Sequence, residues 1–227
     1  MDIDEQDISA LFTTLKLAGI STVLLILLGT PLAWWLAWSR WRLKYIIEAM
    51  VALPIVLPPT VLGFYLLVAL GPEGPIGGLL EIMGGQAPAF TFSGLVIGSV
   101  FYSLPYVVQP IQNAFSAIGQ RPLEIAATLR ASPLDRFFSI ALPLARPGLI
   151  SGAVLGFAHT LGEFGVVLMI GGNIPGSTRV LSIAIYEHVE ALDYGKANWL
   201  SGGLLLLSLF LLISVYAVNK RTQPIFP

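Results

Sequence analysis

An all-α, polytopic membrane protein is the fold class that this sequence predicts, and three observations predict it. The chain is 56% hydrophobic and only 11% charged, with a mean hydropathy of +0.81, values that a water-exposed surface could hardly hold. Five apolar stretches, 11–38, 46–70, 93–115, 149–171 and 199–218, reach the roughly 20 residues that a helix needs to cross a bilayer core. Runs such as Leu204 to Leu207 do not alternate in polarity, as the short strands of a β-barrel would.

The first stretch follows an acidic segment, 1–10, holding Asp2, Asp4, Glu5 and Asp7. A cleaved signal would carry Lys or Arg there and a shorter apolar run, so 11–38 reads as a retained helix. Trp34, Trp35, Trp38 and Trp41 at its far end, and Trp199 at the start of the last span, read as interfacial anchors. In the second stretch Pro54, Pro58 and Pro59 fall close together. Each removes a backbone donor and clashes with the preceding turn, so a kink or local unwinding is expected near mid-membrane. Freed carbonyls are tolerated there only against protein or an aqueous cavity. These prolines are therefore a pathway candidate, with a packing kink as the alternative. The Gly- and Pro-rich segment 71–88 reads as a loop.

The fourth stretch spaces Gly148, Gly152, Gly156, His159 and Glu163 four, four, three and four apart, which makes one helical stripe. Its small residues admit a close neighbour, and its outer half is ionisable. An acidic side chain unpaired in hydrocarbon is costly, so Glu163 should face the bundle interior, a partner or water. His159 and Glu163 are thus candidates for a gate or pathway, or else a structural pair tied to each other or to a neighbouring helix. No catalytic residue and no metal site is expected: only two histidines exist, in different segments, and cysteines are absent, which also excludes disulfides. Segment 180–192, with Leu181, Ile185, Val189 and Leu192 on one face, reads as a helix lying at the outer surface.

Basic residues fix the expected orientation. Nine of the 12 Lys and Arg (Arg40, Arg42, Lys44, Arg121, Arg130, Arg136, Arg146, Lys220 and Arg221) lie at one set of ends; Arg179 and Lys196 lie at the other. Lys16, within the first span, is expected to snorkel. The positive-inside rule then puts the N-terminus outside and the tail, 219–227, in the cytoplasm, which five spans satisfy. The net charge is −1 and no basic face forms, so nucleic acid is not an expected partner. One membrane domain, 11–218, is the expected organisation.

A charged segment, about 121–137, separates the third and fourth spans. Glu124 and Ala126, then Arg130, then Ile140, Leu142 and Pro143, keep without insertion the spacing of the EAA loop that couples ABC importer permeases to their ATPases. The segment resembles that loop. Ile125 replaces its first Ala and Arg130 its Gly. Arg takes a left-handed conformation at a cost, so the end of this coupling helix is expected to be built differently. The runs Leu161 to Gly165 and Gly172 to Arg179, with the proline-rich second span, are most similar to the oxyanion branch of these permeases and within it to molybdate transporters.

That resemblance implies a type I importer fold with a cytoplasmic coupling helix, in a bacterial or archaeal cytoplasmic membrane. It implies as partners a second copy of the chain, a cytoplasmic ATP-binding subunit and an extracytoplasmic molybdate-binding protein. Sulfate or tungstate is the alternative substrate. No cofactor is expected in the chain itself. It has no Gly-x-x-x-x-Gly-Lys-Ser/Thr loop to cradle phosphates, so ATP would be bound by the partner. Two readings of other classes stand beside this one: a gradient-driven transporter using Glu163 and His159 as a proton relay, and an intramembrane enzyme, for which Glu163 is the only deeply placed acid.

Overall fold

The computed structural model describes residues 4–222 and is helical throughout its regular elements. The tail expected at 219–227 lies outside the described residues from 223 onward. Helix α1 (Glu5–Trp38) starts six residues before the apolar run, capped by the Asp4 side chain, which accepts from the Gln6 N–H. Its 34 residues span about 51 Å, well beyond a bilayer core of about 30 Å. At its far end the Lys44 ammonium donates to the Leu36 carbonyl, placing positive charge on the negative end of the helix dipole.

Among the described residues three helices are each long and apolar enough to cross a membrane: α1, α5 (Phe92–Ile118) and the Tyr194–Ser214 part of α12 (Tyr194–Thr222). The two remaining predicted spans are broken. The second consists of α2 (Lys44–Val56) and α3 (Pro59–Leu70), bent by 114° at Leu57 and Pro58. Pro58 and Pro59 have no N–H for the carbonyls of Pro54 and Ile55, so the helix stops there and restarts with Pro59 in its first turn. A short α4 (Gly77–Ile82) follows in the expected loop.

The predicted fourth span departs further from expectation. It is built from α9 (Arg146–Leu161) and α10 (Gly165–Gly171), with Gly162, Glu163 and Phe164 outside both helices. The stripe from Gly148 to Glu163 is therefore helical only as far as His159. Before α9, α6 (Arg121–Thr128), α7 (Pro133–Arg136), a wide π turn over Phe137–Ala141 and α8 (Leu142–Leu144) form the coupling region, and Pro133–Leu144 meets α9 at 69°.

The centre of the bundle is α1, α5 and α9, packed on one another, while α10 packs on α3 and α5. One apolar core, around Leu25, Leu36, Val107, Ile111 and Phe115, fills the α1–α5 half nearer the basic residues. A second, around Leu17, Leu95, Val167, Val180 and Ile183, joins α1, α5, α10 and α11 (Leu181–Glu190) at the opposite end. Trp34 belongs to the first core: its ring centroid lies 5.0 Å from Phe115 and 5.2 Å from Phe137. It is a packing residue joining α1, α5 and the π turn, whereas Trp35 and Trp41 stay exposed as anchors would. Lys16 is exposed, and its ammonium sits 4.5 Å from the centre of the Phe92 ring at the start of α5. On α11 the buried residues are Leu181, Ile183 and Ala184, and Val189 and Leu192 of the expected apolar face are exposed.

Candidate functional site

Both broken spans meet at one cavity. Its volume is about 570 Å³, and its wall includes Pro59, Tyr102, His159, Glu163, Phe164 and Met169. A proline-terminated helix start and an interrupted helix thus face each other, which is where irregular backbone in a membrane requires protein or water beside it. The approach is close: a Cβ on Gly63 would lie 2.8 Å from Met169 Cβ, and one on Gly165 would lie 2.7 Å from Pro59 Cβ. Of the five residues proposed for a pathway, Pro59, His159 and Glu163 line this cavity. Pro54 is buried within α2 and Pro58 caps α3, and neither lines it.

His159 and Glu163 are not a pair. The His159 ring stacks on Tyr106 with centroids 3.9 Å apart, and its Nδ1 lies 2.9 Å from the Ser103 hydroxyl. That hydroxyl is 3.0 Å from Thr160 Oγ1, which is 3.0 Å from the Gly156 carbonyl. With Nδ1 protonated, His159 donates to Ser103, Ser103 to Thr160 and Thr160 to Gly156, so each hydroxyl both gives and receives.

Glu163 has no such support. It is 4% exposed, and both carboxylate oxygens are buried without a hydrogen-bond partner. The Ser99 hydroxyl is likewise buried without a hydrogen-bond partner. What holds residue 163 in place is its backbone: the carbonyl accepts from the Ser182 hydroxyl at 2.5 Å, anchoring the helix break to α11.

Beyond α10 the run from Gly172 to Arg179 folds into a tight loop in which Thr178 donates to the Gly171 carbonyl at 2.6 Å. The loop delivers Arg179 into a buried network that sequence reading missed. Its guanidinium lies 2.8 Å from Glu187 and 3.9 Å from Asp7, and donates to Gln6 at 2.7 Å. His188 Nε2 lies 3.0 and 3.1 Å from the two oxygens of Asp7. The start of α1 is thereby clamped to α11 across about 180 residues of sequence. No spacing rule signals such a contact; the buried placement of an acid in the first turn is visible only after folding. Nearby, donation to Glu190 at 2.7 Å holds the Tyr186 phenol above its ordinary range.

At the other end, α6 carries the spacing-matched residues. Glu124 is exposed, Ala126 is buried beneath the helix, and Ile125 and Leu129 are 63% and 78% exposed. Ile140, Leu142 and Pro143 are half-buried in the π turn and α8, where Leu142 packs on the first core. Arg130 overturns the expectation drawn from it: it adopts φ +61°, the left-handed conformation that a Gly would take. The Arg130 N–H bonds to Ala127 O and the Ala131 N–H to Ala126 O, both at 3.0 Å, which is a Schellman closure with Arg130 at C′. The two hydrogen bonds offset a strain of roughly 1–2 kcal/mol. Arg130→Gly is therefore expected to stabilise the folded chain by about 1 kcal/mol, read as a higher thermal midpoint in detergent. A fall in that midpoint would mean that the Arg130 side chain holds the loop.

Residues 29–224 match the family model of the binding-protein-dependent transport system inner membrane component. The chain is 61% identical over 220 residues, 97% of either chain, to a molybdenum transport system permease protein of Azotobacter vinelandii. It is 42% identical over 94% of its length, and 79% of the relative's, to a protein so named of Mycobacterium tuberculosis. Among solved structures it resembles a chain of a bacterial alginate ABC transporter at TM-score 0.78 and 18% identity, covering 96% of this chain and 80% of that one. A chain of an inward-facing methionine ABC transporter matches at TM-score 0.74 and 16% identity, over 97% and 100% of the two chains. The last two likenesses concern the fold.

Proposed function

This chain belongs to the binding-protein-dependent transport system inner membrane components, and from that membership we propose that two copies of it form the transmembrane path of an ATP-driven importer for molybdate. The 61% identity over nearly the whole length of a molybdenum permease carries this reading. An extracytoplasmic binding protein delivers the anion, and a cytoplasmic ATPase engages α6 and α7. The basic ends of the helices face the cytoplasm, with the start of α1 outside. The cavity between the two broken spans is the path or its gate. A weakly binding path suits transport, because a strong site would hold the anion back.

The exposed Ile125 and Leu129 are the apolar contacts that α6 offers an ATPase, with Glu124 beside them. ATP binding draws two ATPases together, each moves its coupling region, and the helices pivot as rigid bodies between inward-facing and outward-facing states. Uptake into proteoliposomes holding the ATPase, with ATP inside and loaded binding protein outside, tests the whole reading. Molybdate uptake that requires ATP supports it. Preference for sulfate or tungstate overturns the substrate, and uptake driven by a proton gradient without ATP overturns the class. Glu124→Lys and Leu129→Glu are expected to lower ATP-coupled uptake at least tenfold with normal insertion; normal uptake by both would remove α6 as the docking element. Ala126→Asp acts differently, by burying a charge under the helix and dislodging it.

A further inference from the structure

A second cavity, of about 350 Å³, lies between the basic end of α1 and the coupling region. Its wall includes Trp34, Trp38, Arg40, Gln120, Leu123 and Arg136. Trp38 Nε1 and Arg136 Nε are both buried with no hydrogen-bond partner. An indole N–H and a guanidinium only donate, so an acceptor alone can satisfy either group. Both belong to side chains that line the cavity. Arg40 and Arg136 add two positive charges to the wall, to which no Asp or Glu contributes. The neighbouring acid, Asp135, is already engaged: it accepts from the Ser132 hydroxyl at 2.6 Å and the Ser132 N–H at 3.2 Å. Arginine forks and an indole N–H around a small space suit an oxyanion rather than a neutral ligand, and a headgroup phosphate is the oxyanion that a membrane supplies at that depth.

We propose that this cavity binds a phosphate-type oxyanion, held by the guanidinium groups of Arg40 and Arg136 and by the Trp38 indole N–H. Two sources share that chemistry: the headgroup of an anionic phospholipid and free phosphate. Exposed Trp35, Trp41 and Leu43 at the same end of α1 place the opening where acyl chains meet headgroups. A bound anion would bridge α1 to α7 and so brace the coupling region against the bundle. Binding itself is independent of the proposed transport; the orientation proposed above puts the opening in the cytoplasmic leaflet.

The test uses the purified full-length chain with Arg40→Gln, Arg136→Gln and Trp38→Phe, the last keeping the ring and removing the N–H donor. In nanodiscs of mixed phosphatidylcholine and phosphatidylglycerol, native mass spectrometry is expected to show phosphatidylglycerol retained at least fivefold over phosphatidylcholine. That preference should vanish in the two arginine variants and weaken in Trp38→Phe. In lipid-free detergent, thermal midpoints are compared in phosphate and in chloride at equal ionic strength. A phosphate-dependent rise that the variants lose identifies free phosphate as a ligand. Dependence on these three residues in either arm supports the site and names its source. Equal lipid retention by wild type and variants, together with no variant-sensitive phosphate effect, overturns it.

Discussion

Gly148→Ala is expected to destabilise the bundle more than any other single methyl added to α9. A Cβ at position 148 would lie 2.4 Å from Ala114 Cβ and 2.7 Å from the Pro110 carbonyl. Neither can move aside by rotating a side chain, because one is a Cβ and the other is backbone, so α9 must shift away from α5. Overpacking typically costs about 1–3 kcal/mol, and this position belongs at the upper end of that range. At Gly152 the nearest obstacle is the Val107 carbonyl at 2.9 Å, and at Gly156 it is Val107 Cγ2 at 2.4 Å, which a rotamer change can relieve in part. The expected order of damage is Gly148, then Gly152, then Gly156. Gly19→Ala supplies the contrast, since nothing lies within 4 Å of its added Cβ. Thermal midpoints of the four variants in detergent check the order. A Gly148→Ala protein as stable as the parent would mean that α5 and α9 do not approach as closely as the structure has them.

How much of this was legible beforehand depends on how local each cause was. The Pro58–Pro59 break was legible, because missing N–H groups are a property of those residues alone. Gly148, Gly152 and Gly156 were legible as a stripe, and the structure sets all three against α5. The interruption at Gly162 to Phe164 was not. No proline marks it, and a single glycine is tolerated within a helix; the break is anchored instead by Ser182, which lies 19 residues away. Missing it kept an i,i+4 pairing between His159 and Glu163 among the alternatives, and that pairing required a helix that in fact ends two residues too early. Arg130 failed as a guide for a related reason. Its intrinsic preference was read correctly, but the two capping hydrogen bonds outweigh that preference at the helix end. The Asp7–His188 contact joins segments 181 residues apart in the chain and leaves no trace in any sequence window.

Glu163→Met is expected to make the protein more stable and a worse transporter. The substitution keeps the length of the side chain and removes both buried, unpartnered oxygens. A buried polar group left unsatisfied costs about 1–3 kcal/mol, so an apolar replacement of similar shape should raise the thermal midpoint by a few degrees. Such a gain at a cavity wall identifies a residue kept at the expense of stability, as functional groups often are. Transport should move the other way. Removing the carboxyl leaves that stretch of wall more apolar, and an oxyanion crossing a dry constriction loses hydration that nothing replaces. A further barrier of only about 1.4 kcal/mol lowers uptake tenfold, so at least that loss is expected in the proteoliposome assay. Association with the ATPase should be unchanged, because α6 lies at the other end of the bundle's long axis from the clamped start of α1 and shares no wall with this cavity. Glu163→Gln, which keeps a polar group of the same length at the wall, should fall between the two in uptake. A Met variant that melts earlier and fails to assemble would assign Glu163 to the scaffold. One that is stabilised and transports at the parent's rate would take the residue out of the path.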